Sequence, residues 1–477
     1  MKSRVFLALA LLFLFLIPIL RQIPQIDEMG LSGVASLLMI LLALLFLALG
    51  FLTLGGMAWP LRLLSLVGLS GILFALFRVE GCQGEFLPQF AFRWSSEPGS
   101  ALPPVGSTTD LAVPAVPEAL DFPQFLGPDR SNWIDGQKLP PEWATRTPRE
   151  LWRRDIGLGW SAFVVKGGRA ITQEQRGAEE VVACYALADG APLWTHSDTT
   201  RFSEEMGSDG PRATPVIHKN RVYSLGATGI LNCLDLASGQ LIWQVATLKP
   251  DGSDNLKWGK SASPLIVDDL VVVSLGRNAP GVAAYLQENG ALKWQAGDDG
   301  AGYSAPILAT VAQKRQVVVL HANSIGGYEP ATGDEIWRYP VDGAAANVAN
   351  PVPLGETDLL IALGYGKGAR RISLSARSED VAKLKGDLLW SSLKMKPKFT
   401  NLVIREGHAY GLDEARLGCI ELVSGKRKWR GSRFGHGQVL GVGNFLLIQA
   451  ESGKIAIARA NPEEEEIVHE FEALNHK

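Results

Sequence analysis

The stretch CLDLASGQLIW (residues 233–243) decides the fold, because its last five residues form a Gly-x-x-x-Trp unit that recurs along the chain. Within residues 150–460 the unit occurs six times, as Gly190–Trp194, Gly239–Trp243, Gly290–Trp294, Gly333–Trp337, Gly386–Trp390 and Gly425–Trp429. Successive tryptophans are 49, 51, 43, 53 and 39 residues apart, and Trp152 fits the same phase without the glycine, 42 residues before Trp194. A fixed period of this length is typical of repeat proteins such as propellers.

Each period contains the same kinds of segment. A residue-proline pair opens it, followed by a β-branched run such as LVVVSLG (270–276) or RQVVVLH (315–321). Short runs of this composition, bounded by Gly, Pro, Asn and Asp, predict strands joined by hairpins. Four strands in each period, repeated radially, predict an all-β propeller of four-stranded antiparallel blades over residues 150–460.

The tryptophans predict seven blades, with an eighth blade or an open ring left as the alternative. Segment 438–460 would supply the inner strands of the last blade, and a strand that ends at Trp152 would complete it. The residues assigned to docking between blades are Trp152, Trp194, Trp243, Trp294, Trp337, Trp390 and Trp429.

Three of the four cysteines occupy one position of the repeat. Cys184, Cys233 and Cys419 each lie six residues before the glycine of a Gly-x-x-x-Trp unit, where other repeats have Ala284 and Gly327. Free cysteine packs as a small hydrophobic residue, so this position is predicted to be tight and buried. No Cys-x-x-Cys pair is present, and we expect neither a zinc site nor a redox pair.

The repeats resemble those of the PQQ-like (quinoprotein alcohol dehydrogenase-like) β-propeller family. CLDLASGQLIW (233–243), CYALADGAPLW (184–194), GYEPATGDEIW (327–337) and CIELVSGKRKW (419–429) are similar to its tryptophan-docking repeat. FPQFLGPDRSN (122–132) resembles the lead-in segment of membrane-linked members. The resemblance implies that each tryptophan stacks against the next blade. It specifies the fold rather than an activity.

Three apolar segments precede the repeats, at residues 5–20, 31–58 and 61–77. A membrane-spanning helix needs about 20 apolar residues, so the second segment qualifies clearly, and two or three spans are predicted. Lys2, Arg4 and Arg62 would face the cytoplasm, and Arg21 and Arg78 the other side. This bias predicts a bacterial inner-membrane protein whose propeller faces the periplasm.

Composition divides the rest of the chain. The predicted regions are a membrane region at 1–80, a Pro-rich linker at 81–120, a lead-in segment at 121–149, the propeller at 150–460 and an acidic tail at 461–477. The net charge of −3 provides no basic field for nucleic acid, so a nucleic-acid partner is not expected.

Polar side chains recur in segments that enter or follow the predicted inner strands. Such groups can converge at the mouth of the axial channel and form a binding site, although a water-filled channel is also often lined with polar residues. The predicted ligand-binding residues are Glu174, Arg176, Arg212, Lys260, Tyr303, Asn347, Tyr365, Asn401, His436 and Gln438. Arg212, in GPRATP, and His436, in RFGHGQ, stand out because each lies in a Gly-flanked stretch.

Two classes of function follow. The first is a binding or scaffold module that holds an envelope protein or a small ligand, as in the lipid-anchored propeller of outer-membrane protein assembly that shares the repeat. The second, implied by the resemblance, is an alcohol or sugar dehydrogenase that uses PQQ and calcium, with Glu174 and Asn347 or Asn350 as ion ligands and Asp209 as base. The sequence lacks the adjacent cysteine pair and the haem motif of such enzymes, so it favours the binding module. No catalytic residue and no metal site are assigned.

Overall fold

The computed structural model describes residues 2–20, 23, 31–53, 57–82, 84, 88–95, 102, 116, 119–144, 146–252, 254–278, 280–342, 346–377 and 383–474. The chain divides into two compact units. One comprises Met1–Glu97 with Ser203–Ser208, and the other comprises Pro98–Phe202 with Asp209–Lys477.

The described residues of the first unit form three helices, α1 (Lys2–Leu20), α2 (Ser32–Leu52) and α3 (Trp59–Leu76). Each of the three is long and apolar enough to cross a membrane. The ring of Phe46 on α2 stacks on Phe13 of α1 at 5.4 Å between centroids. Strands β1 (Phe77–Cys82) and β2 (Pro88–Phe92) then form an antiparallel hairpin, where the sequence predicted the start of the linker. Most of the remaining predicted linker lies outside the described residues.

Where the structure describes the second unit, its strands form seven sheets, which we number as blades 1 to 7 in chain order. Blades 1 to 4 consist of β4 (Val164–Lys166), β5 (Arg169–Arg176), β6 (Glu179–Ala186) and β7 (Pro192–Asp198); β8 (Val216–His218), β9 (Arg221–Leu225), β10 (Ile230–Asp235) and β11 (Leu241–Ala246); β12 (Leu265–Val267), β13 (Leu270–Ser274), β14 (Val282–Leu286) and β15 (Leu292–Ala296); and β16 (Ile307–Val311), β17 (Lys314–Leu320), β18 (Ser324–Tyr328) and β19 (Glu335–Pro340).

Blades 5 to 7 follow the same antiparallel order, and a short 3-10 turn, Pro141–Ala144, precedes blade 1. Their strands are β20 (Val352–Leu354), β21 (Asp358–Leu363), β22 (Gly368–Ala376) and β23 (Leu384–Ser392); β24 (Val403–Arg405), β25 (His408–Asp413), β26 (Arg416–Glu421) and β27 (Arg427–Arg433); and β28 (Gln438–Val442), β29 (Phe445–Gln449), β30 (Lys454–Arg459) and β31 (Ile467–Glu472). The predicted propeller of four-stranded blades after N-terminal helices is confirmed.

The first strand of each blade lies nearest the propeller axis, since the first strands of neighbouring blades contact one another, for example β4 with β8 and β8 with β12. Antiparallel order then defines two faces. On the entry face the chain enters each first strand, and the second and third strands are joined there. On the turn face lie the first-to-second turns and the third-to-fourth turns, which carry the Gly-x-x-x-Trp units.

The tryptophan of one blade packs on the glycine turn of the next. Gly239, at φ +71°, lies so close to Trp194 that an added Cβ would come within 2.4 Å of the indole ring. The Trp194 Nε1 also donates to Leu236 O at 3.1 Å. The same bond to the residue three before the turn glycine is made by Trp243, Trp294 and Trp390. The docking role predicted for these residues is therefore a packing contact plus a hydrogen bond.

Trp337 departs from the pattern. Its Nε1 donates to Gln316 Oε1 within its own blade, and Tyr339 instead packs against Gly386 of the next blade. Gly386 lies inside β23 rather than in a turn, because blade 5 has a longer connection between its third and fourth strands. Equal spacing in the sequence did not reveal this difference.

The predicted tight slot lies directly opposite the tryptophan on the neighbouring strand. Cys184 pairs with Trp194, Cys233 with Trp243 and Cys419 with Trp429. All three cysteines are free and fully buried. The packing role of this slot is confirmed, because a larger side chain there would meet the indole ring.

Closure of the ring differs from the sequence prediction in two respects. The outer strand of blade 7 is β31, which lies inside the predicted acidic tail at 461–477, so the propeller extends past residue 460. Trp152 lies outside every strand and does not complete blade 7. It instead packs on Gly190 of blade 1, and its Nε1 donates to Leu187 O at 2.9 Å. The lead-in segment also contributes a strand, β3 (Trp133–Ile134), which pairs in parallel with β28.

Candidate binding face

The entry face carries a line of aromatic side chains over blades 3 to 7, which we call the aromatic arc: Trp258, Tyr303, Tyr365, Phe399 and His436. Trp258 and Tyr303 are 5.6 Å apart between ring centroids, Tyr365 and Phe399 are 6.4 Å apart, and Phe399 and His436 are 5.5 Å apart. Four of the five lie in loops that enter a first strand, and Tyr365 lies in the hairpin between β21 and β22. Antiparallel order brings these loops to the same face.

Lys398 places a cation inside the aromatic arc. Its Nζ lies 5.6 Å over the Tyr365 ring and 3.2 Å from the Glu414 carboxylate. Lys398 and Glu414 are both buried, and burial raises the pKa of Glu414 while Lys398 opposes that rise. Burial also raises the pKa of Tyr365 to about 12, with smaller contributions from Tyr303 and Glu414. The tyrosine hydroxyl is therefore a neutral donor and acceptor at the rim.

His436 and Gln438 lie at the other end of the arc. Burial lowers the pKa of His436 to about 3, and the nearby Lys398 and Arg433 lower it further. The imidazole is thus neutral at physiological pH and can donate or accept a hydrogen bond. Gln438 is exposed, and its Nε2 donates to Phe399 O at 3.0 Å, which fixes the loop that carries Phe399.

Arg212 also lies on the entry face, before blade 2, but makes its own contacts there. Its guanidinium stacks 4.6 Å over the Phe202 ring and donates to Gly210 O. Arg212 also opposes the effect of burial on Glu180, whose pKa is raised to about 7. Arg212 therefore belongs to a small charged group over blades 1 and 2.

Three predicted site residues are anchors inside the protein. The fully buried Lys260 Nζ donates to Ser274 O at 2.6 Å and also to Leu275 O, and burial lowers its pKa to about 7. Asn347 Nδ2 donates to His321 O at 2.8 Å. Asn401 Oδ1 accepts from the backbone N–H of Asn350 at 2.7 Å. These contacts tie loops to strand ends, which is the structural role that polar residues have in many channels.

Glu174 and Arg176 lie at the end of β5, the second strand of blade 1, and bond to each other. Both Tyr185 Oη (2.6 Å) and Arg176 (2.9 Å) donate to Glu174, and Gly157 N also donates to this carboxylate. Glu174 is fully buried and its oxygens are used within this group. Of the ten predicted residues, the structure brings together Tyr303, Tyr365, His436 and Gln438.

Trp258 and Phe399 were missed by the sequence analysis, which selected polar residues only. Phe399 is 39% exposed, whereas Trp258 and Tyr303 are half-buried. Both missed residues precede a first strand by a few positions, in the same loops as Lys260 and Asn401. That shared position was the signal available in the sequence.

The proposed PQQ and calcium ligands do not fit a common site. Glu174 belongs to blade 1 and is occupied by its own partners, whereas Asn347 lies before blade 5 and donates to backbone carbonyls. Asp209 pairs with Arg201. Among the described residues no three His, Cys, Asp or Glu side chains are grouped as metal ligands.

Two surface clefts, of about 470 and 340 Å³, lie on the turn face rather than beside the arc. The larger is lined by residues of blades 2 and 3, including His218, Arg221 and Asp268. Neither cleft is lined by a residue of the aromatic arc.

Comparison with protein families matches more than half of the chain to a known family. The family model PQQ_2, described as outer membrane protein assembly factor BamB, matches residues 178–431. A curated outer membrane protein assembly factor BamB from Xanthomonas campestris pv. campestris is 28% identical over 139 residues, which is 29% of this chain. The alignment spans about a third (32%) of the length of that relative.

Solved structures confirm the fold alone. The quinohemoprotein alcohol dehydrogenase of Pseudomonas putida HK5 superimposes with a TM-score of 0.53 and 16% identity, covering 75% of this chain and 73% of that one. The corresponding enzyme of Comamonas testosteroni gives a TM-score of 0.53 and 14% identity, with the same shares of the two chains. Both are propellers, and identities this low carry no information about activity.

Proposed function

Because the chain belongs to the family described as outer membrane protein assembly factor BamB, we propose that it is a membrane-anchored scaffold that binds a protein of the cell envelope on its entry face. The observation that carries the proposal is the aromatic arc on the entry face. Aromatic side chains are enriched at the centres of protein interfaces, where they bury a large area at a small cost in side-chain entropy.

The charges beside the arc indicate what kind of partner would fit. Lys367, in the same hairpin as Tyr365, forms no ion pair with a carboxylate among the described residues. Lys398 is buried beneath the Tyr365 ring and is already paired with Glu414. An extended segment that carries aromatic or apolar side chains and a carboxylate near Lys367 would complement this surface.

The location follows from the N-terminal helices. Three spans with Lys2 and Arg4 in the cytoplasm would put the following propeller on the opposite side of the membrane. In a bacterium that side of the inner membrane is the periplasm, where envelope proteins pass during their assembly. The membrane is thus the second partner, through the lipid contacts of α1, α2 and α3.

Site-specific crosslinking in cells that express the full chain tests the scaffold. A photoreactive amino acid at position 399 should give a discrete adduct with one protein. The matched control is position 423, where Val423 is 75% exposed on the turn face. The substitution Lys367→Glu should weaken the adduct at position 399. Equal adducts at both positions, or none at 399, would refute the arc as the recognition surface.

The dehydrogenase remains the alternative function, and a titration separates it from the scaffold. PQQ and calcium added to the full chain in detergent should leave the melting temperature and the PQQ absorbance unchanged at tens of micromolar (about 10–50 µM, weaker than the affinity of a resident cofactor). A saturable rise in melting temperature would favour the quinoprotein, because a ligand that binds the native state stabilises it.

A further inference from the structure

The lead-in segment crosses the propeller axis on the turn face. Phe122 pairs with Val165 of blade 1 through two backbone hydrogen bonds of 2.8 Å, and Pro123 O accepts from Ile217 N of blade 2 at 2.7 Å. At the other end, Gly441 N of blade 7 donates to Asn132 O at 3.0 Å. Blades 7, 1 and 2 are neighbours in the ring, so these bonds fix both ends of the segment on one side of the axis. The bonds of Arg130 to residues before blades 3 and 4, on the opposite side, carry the segment across the centre.

Arg130 holds the middle of this segment. Its guanidinium donates to Pro306 O at 2.8 Å, and also to Pro264 O, just before the first strands of blades 4 and 3. Its Nε donates to Gln124 Oε1 within the segment at 3.0 Å. Burial lowers the pKa of Arg130 to about 10, and no carboxylate among the described residues pairs with it. The cation is therefore held by two backbone carbonyls and one side-chain amide oxygen.

Asn132 and Trp133 fix the far end of the segment. Asn132 Nδ2 donates to Val439 O of blade 7 at 2.9 Å and lies 3.4 Å from Leu402 O of blade 6. Trp133 is buried in the hydrophobic cluster shared by blades 6 and 7 and packs on Gly441. Together these bonds join the segment to six of the seven blades.

The backbone of the segment has a conformation that only strong contacts would maintain. Leu126, Arg130 and Asn132 have φ values of 64°, 60° and 58°, in the left-handed region that non-glycine residues rarely adopt. Each such residue costs of the order of 1 kcal/mol in a free chain. A segment with three residues in this conformation is therefore held in place by its contacts with the ring.

We propose that residues 121–134 form a built-in plug of the axial channel, by which the membrane-linked part of the chain grips the propeller from within. The plug closes the channel at the turn face, so a ligand or partner reaches the axis from the entry face only. The grip is noncovalent and independent of the chain that follows it, which runs through the exposed residues 135–138 before blade 1.

Cleavage of the full chain in native membranes tests the plug. A protease site inserted after Gly136 separates the membrane region and the plug from the propeller. The propeller should still sediment with the membranes after cleavage, because the plug holds it. Its release into the soluble fraction would overturn the proposal.

Two controls make the result interpretable. A site inserted after Thr109, before the plug, should release the propeller on cleavage. With the site after Gly136, the variant Arg130→Ala with Trp133→Ala should also release it, while the uncut double variant stays in the membrane and keeps a cooperative melting transition. If that variant does not fold, the single variant Arg130→Gln should still increase release. The glutamine amide can donate a hydrogen bond, but it cannot donate to both carbonyl oxygens as the guanidinium does.

This test is separate from that of the scaffold. Crosslinking at position 399 reports on the entry face, whereas sedimentation reports on the plug at the turn face. A negative outcome in either experiment would refute only the proposal that this experiment tests.

Discussion

The indole ring of Trp152 packs on Gly190, although Trp152 lies in no strand and Gly190 heads the first docking turn. In the other interfaces of this kind the tryptophan comes from the last strand of the preceding blade. In blade 7 the corresponding position, opposite Ile457, holds His469, which contacts Thr147 at 3.1 Å instead. The chain before blade 1 thus supplies the docking residue that blade 7 lacks.

Gly190→Ala should destabilise the protein by more than backbone strain alone. Gly190 has φ +71°, and an added Cβ would lie 2.6 Å from the Trp152 ring. The matched control is Gly177→Ala, at φ +55° with no atom within 4 Å, which should cost only about 1 kcal/mol. Thermal or chemical denaturation would measure both. Equal losses would mean that the contact with Trp152 contributes nothing.

Glu180→Gln should make the stability of the protein fall as the pH is lowered from 7 to 5. Burial raises the folded pKa of Glu180 to about 7, above its ordinary value of 4.5. The native state then holds a proton that the unfolded state lacks, so wild-type Glu180 contributes stability at pH 5 that is lost as the pH rises through 7. The difference is about 2 kcal/mol between pH 5 and 7. Without this contribution, the pH dependence of stability is set by groups whose protonation destabilises the native state.

His436→Gln should have the reverse effect. The folded pKa of His436 is lowered to about 3 from 6.5, so the unfolded state binds the proton between these values. His436 therefore costs about 2 kcal/mol of stability on acidification from pH 7 to 5, which nearly offsets the gain from Glu180. The His436→Gln variant should become more stable over this range. Denaturant titrations at several pH values would show both slopes, and a pair of variants with the wild-type slope would contradict both assignments.

Cys184, Cys233 and Cys419 should react with thiol reagents only when the propeller unfolds. All three are fully buried, and burial raises the pKa of Cys184 to about 12 and that of Cys233 to about 11. In a Cys82→Ser background, the folded protein should show no thiol that is labelled quickly. The same protein in denaturant should show three such thiols. Cys184→Ala should be tolerated better than Cys184→Leu, because Cys184 lies opposite Trp194. Fast labelling of the native protein would contradict the packing role.

The repeat made the fold predictable, because the tryptophan and the glycine turn contact each other in space as well as in sequence. The slot of Cys184 was identified in the same way, since its neighbour across the strand pair is fixed by the hairpin. Trp337 shows the limit of this reasoning. Its spacing is regular, but the longer connection in blade 5 moves Gly386 into a strand.

The site was less predictable than the fold. Tyr303, Tyr365 and His436 were found because they lie in loops that enter or join inner strands. Polarity alone also selected Lys260 and Glu174, which are polar because they bond to buried backbone or to Tyr185. The role of residues 121–134 could not be read from the sequence, since their partners lie far along the chain, 307 residues away in the case of Asn132 and Val439.

The position of Trp152 ahead of blade 1 bears on how the chain folds as it is synthesised. A ring closed by exchange of strands must wait for its last residues before its first blade is complete. Here the tryptophan that docks on Gly190 leaves the ribosome before blade 1 does, and blade 7 takes its outer strand, β31, from its own sequence. Blades can then be added in the order of synthesis, and the pairing of Trp133 with Gly441 becomes the step that completes the ring.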